Sequence, residues 1–140
     1  MKNQLMLKLT IDPTWIHDDK EIIRIEQSPD GQYLISKRTI TRSPPANKST
    51  STITKYKNIR NELLAGALDN LFQTTIPAFP DFEEYLDGYT TELSFGGAFG
   101  GATFNWHCQP PDEWEPLGKF VNYLTELIES LEQGKHEREK

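Results

Sequence analysis

Between Gly88 and Leu131 the spacing of apolar residues changes from two to three or four, and that change divides the stretch into strand, loop, strand and helix. Residues 90–95 and 102–108 alternate polar with apolar side chains on either side of Gly96-Gly97-Ala98-Phe99-Gly100-Gly101. Symmetric pairing about this loop sets Phe95 opposite Ala102, Leu93 opposite Phe104, Thr91 opposite Trp106 and Tyr89 opposite Cys108. Successive strand side chains point to opposite faces, so Ser94 with Thr103, Glu92 with Asn105 and Thr90 with His107 share the other, polar face. A one-residue slip in one strand would exchange that strand's faces. Beyond the hairpin, Pro116 suits a first helical turn, where its missing N–H has no partner to lose. Trp114, Leu117, Phe120, Val121, Leu124, Leu127, Ile128 and Leu131 form one continuous apolar stripe, and Gly134 reads as a C-terminal cap.

The same periodicities organise the rest of the chain. Leu5, Leu7 and Leu9 alternate with polar neighbours, apart from Met6, which predicts a half-buried strand over 4–10. Ile23 and Ile25 share one face of a strand at 21–27. Ser28-Pro29-Asp30-Gly31 is a tight-turn sequence, with proline presetting one φ and glycine accepting a positive one. A strand at 32–41 returns from it. Segment 43–54, SPPANKSTSTIT, reads as a polar loop with the composition of a mobile connection. Tyr56, Ile59, Leu63, Leu64, Ala67, Leu68, Leu71 and Phe72 fall at helical spacing, which predicts a helix over 56–73 with one broad apolar stripe, stopped by Pro77 and Pro80. Trp114 with Pro110-Pro111 is expected to close the space between sheet and helix. The expected fold is α+β: an antiparallel sheet of about five strands in β-β-β-α-β-β-α order, with helices near 56–73 and 116–133 on one face. Residues 1–134 form one domain in this reading, and 135–140 a solvated tail.

Length and composition narrow the class. At 140 residues the chain is long enough for a core without metal or disulfide staples. A single cysteine, Cys108, excludes an internal disulfide framework and fits a reducing compartment. The N-terminal apolar run Leu5-Met6-Leu7 is too short for a secretion signal or a membrane span, so a cytoplasmic location and no membrane partner are expected. The net charge of −6 conceals an asymmetry, for no acid occurs between Asp30 and Glu62 while Lys37, Arg38, Arg42, Lys48, Lys55, Lys57 and Arg60 are basic. That stretch suits an acidic partner or phosphates. The acidic overall balance argues against nucleic acid, whose binders are usually basic as whole domains.

Candidate chemistry is sparse. Glu92, Ser94, Asn105 and His107 on one sheet face could serve as a polar site, with His107 as general base and Glu92 orienting it. A solvated face of an antiparallel sheet carries the same residue types without any such role. Cys108 and His107 are adjacent in sequence but project oppositely from a strand, which separates nucleophile from base. The GGAFGG loop lacks the lysine-hydroxyl pair and the following helix of a phosphate loop, and instead presents Phe99 as a contact residue. Asp81, Glu83, Glu84 and Asp87 are interrupted by Phe82, Tyr85 and Leu86 and lack calcium-loop spacing, and His17-Asp18-Asp19 has no second ligand cluster nearby. No cofactor or metal site is implied.

Asp87-Gly88, the alternating strand, Gly97, Trp106, Pro111, Trp114 and the leucine-striped helix are broadly similar to small uncharacterised bacterial domains, some immunity-type proteins among them. The similarity covers about the last third of the chain and rests on turn and packing signals, so it implies no catalytic residue. The leading expectation is a non-catalytic protein-binding or accessory module, immunity-like or regulatory. It would contact a protein partner or a second copy through Phe99, Lys37, Arg38 and Arg42. The alternatives are a small hydrolase built around His107 and Glu92, and phosphate or nucleic-acid binding through the basic 37–60 stretch.

Overall fold

The computed structural model describes residues 3–13, 19–43, 48–57, 61–78, 80, 88–96 and 101–138. The fold is α+β. Strands β1 (Gln4–Pro13), β2 (Lys20–Gln27), β3 (Tyr33–Ser43) and β4 (Lys48–Lys57) precede helix α1 (Asn61–Gln73). Strands β5 (Tyr89–Phe95) and β6 (Ala102–His107), a short 3-10 turn at Asp112–Trp114 and helix α2 (Glu115–Arg138) follow. The six strands form one sheet in the order β4-β3-β2-β1-β5-β6, antiparallel at every junction. Two compact units result: the strands within 1–61 and 83–109, and the helices within 62–82 and 110–140.

In the sheet unit, alternation decides which side chains are buried. Leu7, Leu9, Ile23, Ile25, Ile35, Leu93 and Trp106 project to one face and are almost completely buried. Their neighbours in sequence form the outer face. β1 departs from simple alternation at Met6. Leu7 pairs with Ile25, but Leu5 pairs with Glu26, so two steps along β1 match one along β2. This bulge takes Leu5 out of the Leu7–Leu9 row that its spacing predicts. The β2–β3 turn forms as its sequence dictates. Gly31 adopts φ +89° and donates its N–H to Ser28 O at 2.9 Å, while Ser28 N donates to Gln32 O at 2.8 Å.

The expected 43–54 loop is corrected. Residues 48–57 form β4, and ten consecutive pairs join them to β3, from Leu34↔Lys57 to Ser43↔Lys48. Among the described residues the sheet therefore has six strands, one more than the approximate five expected. β4 also takes residues 56 and 57 from the expected first helix, which begins at Asn61. Serine and threonine suit this position because an edge strand need not bury an apolar row, and threonine is a good strand former.

In the helical unit, Leu64, Leu68 and Leu71 are the buried stripe of α1, and Leu117, Phe120, Leu124 and Ile128 that of α2. Leu63 and Phe72, expected within the stripe, lie at its flanks and are exposed, so the apolar face is narrower than the spacing predicts. The Trp114 indole N–H donates to Pro77 O at 2.6 Å, tying the segment after α1 to the start of α2. Pro110 lies against Gly118, where an added Cβ would approach Pro110 Cγ to 2.8 Å. α2 continues through Gly134 to Arg138, so Gly134 is not its cap and residues 135–138 are helical rather than a tail. One glycine in a helix interior costs only about 1 kcal/mol, and the lysine, glutamate and arginine beyond it are good helix formers. No described helix is long and apolar enough to cross a membrane.

Candidate functional site

The β5–β6 ladder has the symmetric register. Thr90↔His107, Thr91↔Trp106, Glu92↔Asn105, Leu93↔Phe104, Ser94↔Thr103 and Phe95↔Ala102 are all paired. Glu92, Ser94, Asn105 and His107 therefore share the outer face. Thr90, Glu92, Thr103 and Asn105 are exposed, and Ser94 and His107 are half-buried. His107 Nδ1 lies 3.3 Å from Thr90 Oγ1, and Ser94 Oγ lies 3.1 Å from Thr103 Oγ1 and 3.5 Å from Glu92 Oε1. The ladder separates other members of the set. His107 is level with Thr90, four residues along β5 from Ser94, or roughly 14 Å at about 3.4 Å per residue. A serine–histidine pair needs contact within hydrogen-bond reach, so His107 and Ser94 do not form one.

Cys108 leaves the ladder. Its N–H still donates to Tyr89 O at 2.8 Å, but its backbone is left-handed, with φ +61°. The side chain consequently turns over Gly88 and does not continue the Phe104–Trp106 row: a Cβ built on Gly88 would collide with Cys108 Sγ and stand 3.9 Å from His107 Nε2.

The basic residues divide between faces because they lie on strands. Lys37 projects with Ile35 and pairs with Glu21, Nζ to Oε1 3.5 Å, with only 18% of its side chain exposed. Arg38 projects the opposite way and is exposed. The expected Lys37–Arg38 cluster is thus split by the period of the strand. Arg42 lies on β3 opposite Ser49. Phe99 lies outside the described residues, as do His17, Asp81, Glu83, Glu84 and Asp87.

Register assembles a different basic group on the outer face. Thr103, Ser94, Lys8, Arg24, Ser36 and Lys55 form one row across all six strands, each residue paired with the next. The adjacent row contains Asn105, Glu92, Thr10, Ile22, Arg38 and Ile53. The row after it brings Asp12 beside Lys20, with Lys20 Nζ 3.7 Å from Asp12 Oδ2. Arg24 Nε lies 3.6 Å from Glu26 Oε1. Lys8, Arg38 and Lys55 have no ion-pair partner among the described residues. Sequence reading had no reason to join Lys8 and Arg24 to the 37–60 stretch, because only the strand order β3-β2-β1 makes them neighbours. No known protein family matches the chain, and no curated protein matches it at a significant level of sequence similarity.

Proposed function

We propose that this protein is a non-catalytic binding module that receives an acidic protein surface on the outer face of its sheet. The observation that carries this reading is the group of Lys8, Arg38 and Lys55, without ion-pair partners among the described residues and joined by Arg24 on adjoining strands. A broad, strand-supported surface holds charges in fixed relation to one another, which favours electrostatic complementarity with a folded partner. Hydroxyl groups at Thr10, Ser36, Ser94 and Thr103 intersperse the cations and can donate to carboxylates at the same surface. The net charge of −6 favours a compact acidic patch over a long polyanion, because a polyanion extending past the face would meet the rest of an acidic molecule.

The test compares the full chain with a Lys8→Glu/Arg38→Glu/Lys55→Glu variant in affinity capture from the native cell extract. A partner with an acidic surface should be retained by the original chain and by His107→Ala, and lost by the triple variant. Capture of the same partners by the triple variant would contradict the reading.

A further inference from the structure

One edge of the sheet has the length and register of an interface. β4 is the terminal strand, and among the described residues β3 is its only strand neighbour. Its ten pairs with β3 run without a register shift, so neither a bulge nor a proline interrupts it. A long, regular edge presents a row of backbone donors and acceptors to any strand that can lie beside it. Short strands, bulges, prolines, inward charges and edge lysines are the usual protections; of these β4 carries only lysines, and the pairing below sets none of them against another. Near its middle stands Ile53, 57% exposed, between the polar residues Thr52 and Thr54.

We propose that β4 pairs antiparallel with β4 of a second copy of this chain, with Ile53 opposite Ile53 of that copy. An antiparallel pair can map a strand onto itself about a two-fold axis, so the same residues supply both sides and the interface closes at two chains. In this register Thr54 faces Thr52, and Lys55 faces Ser51. Every described position therefore meets one from the same face of the sheet. The isoleucines cover each other, threonine meets threonine, and no lysine stands opposite a lysine; cross-strand pairs of these kinds are favourable. Moving the register by one residue would set Ile53 against Thr52 and mismatch the faces of every pair. The other sheet edge makes a poorer partner. β6 has six residues and ends at the left-handed Cys108. Pairing of β4 with β6 of another copy would be head-to-tail, leaving a free edge at each end and leading to open chains. Two-fold pairing instead unites two outer faces in one sheet of twelve strands and brings the Arg38–Lys55 regions together. The inference concerns how the chain associates with itself and stands independently of the acidic-partner reading.

The experiment measures molar mass by light scattering and sedimentation across the micromolar range, for the full chain and for the Ile53→Lys and Ile53→Glu variants. Ile53 is exposed, so circular dichroism of the variants should match that of the original chain. The original chain should be a dimer. Each variant alone should be a monomer, because like charges would then face one another, and an equimolar mixture of the two should be dimeric again. A monomeric original chain, variants that remain dimeric, or a mixture that stays monomeric would each overturn the proposal. Loss of acidic-partner capture by a Lys8→Glu/Arg38→Glu variant, which leaves every residue of β4 unchanged, reports separately on the face.

Discussion

Cys108 Sγ fills the space in which a side chain on Gly88 would begin. Both residues have backbone conformations that suit glycine, with φ +130° at Gly88 and +61° at Cys108, yet only one of them is glycine. The left-handed backbone at Cys108 ends β6 and turns the thiol over Gly88. Gly88→Ala combines a positive φ with a collision and should destabilise the fold by about 2 kcal/mol or more. Cys108→Gly removes the obstructing sulfur and suits the local backbone. The Gly88→Ala penalty should therefore be at least about 0.5 kcal/mol smaller when Cys108 is already glycine. Urea unfolding of the four members of this cycle measures the difference, and equal penalties in both backgrounds would show that the two positions are uncoupled.

Trp114 contributes through one directed bond as well as through burial. Its indole donates to the Pro77 carbonyl, 37 residues away in the chain. Trp114→Phe keeps most of the apolar bulk but removes the donor, and should cost roughly 1–3 kcal/mol by leaving the carbonyl without that partner. Fluorescence-independent unfolding, followed by circular dichroism, should show a lower midpoint with little change in slope. An unchanged midpoint would mean that the bond contributes nothing net.

Thr91 is the one buried polar residue of the sheet among those described, at 2% exposure between Ile11 on β1 and Trp106 on β6. Its hydroxyl has no hydrogen-bond partner among the described residues. Thr91→Val replaces the hydroxyl with a methyl group of similar shape, and should stabilise the protein by about 1 kcal/mol, because an unpaired hydroxyl is costly to bury. Thermal unfolding provides the measurement, and a loss of stability in Thr91→Val would point to a partner for the hydroxyl.

The turn between β2 and β3 has an electrostatic signature. The Ser28 hydroxyl donates to Asp30 Oδ1, and this bond is the main cause that holds the Asp30 carboxyl below its ordinary value. A carboxyl whose pKa is lower in the folded than in the unfolded state stabilises the fold above its unfolded value. That contribution is lost as pH falls through the folded value, on the acid side of the usual carboxylate range. Asp30 is fully exposed, so the effect is read best at the residue itself. Carbon-detected NMR titration should show Asp30 moving up toward an ordinary carboxylate in Ser28→Ala. An identical titration in both proteins would remove Ser28 as the cause.

Much of the β5–β6 hairpin was legible in the sequence, because two alternating runs flank one glycine loop and symmetric pairing about that loop, taken as an assumption, matches their apolar rows. Thr91 opposite Trp106 and Glu92 opposite Asn105 follow from that assumed register and are the pairs observed. Cys108 did not follow it, because alternation assumes extended backbone and nothing in the sequence announces a left-handed residue that is neither glycine nor asparagine. β4 escaped for a different reason. Its threonines serve an edge that makes little demand on hydrophobicity, so the run resembles a polar loop in composition. Grouping basic residues by their neighbourhood in sequence does not tell which face each occupies. Lys37 and Arg38 adjoin in the chain but point to opposite faces, whereas Lys8, Arg24 and Lys55 are far apart in the chain and share a row. That row is a property of strand order, which the hydrophobic pattern of individual strands does not encode.

The binding reading is tested most directly by NMR titration of isotopically labelled protein with a short glutamate-rich peptide, compact enough to remain on the outer face. Backbone amide shifts should concentrate on outer-face positions of β1–β4, around Lys8, Arg24, Arg38 and Lys55, and should weaken as salt is raised. Shifts that are absent at low salt, or confined to Glu92, Asn105 and His107 on β5 and β6, would contradict it.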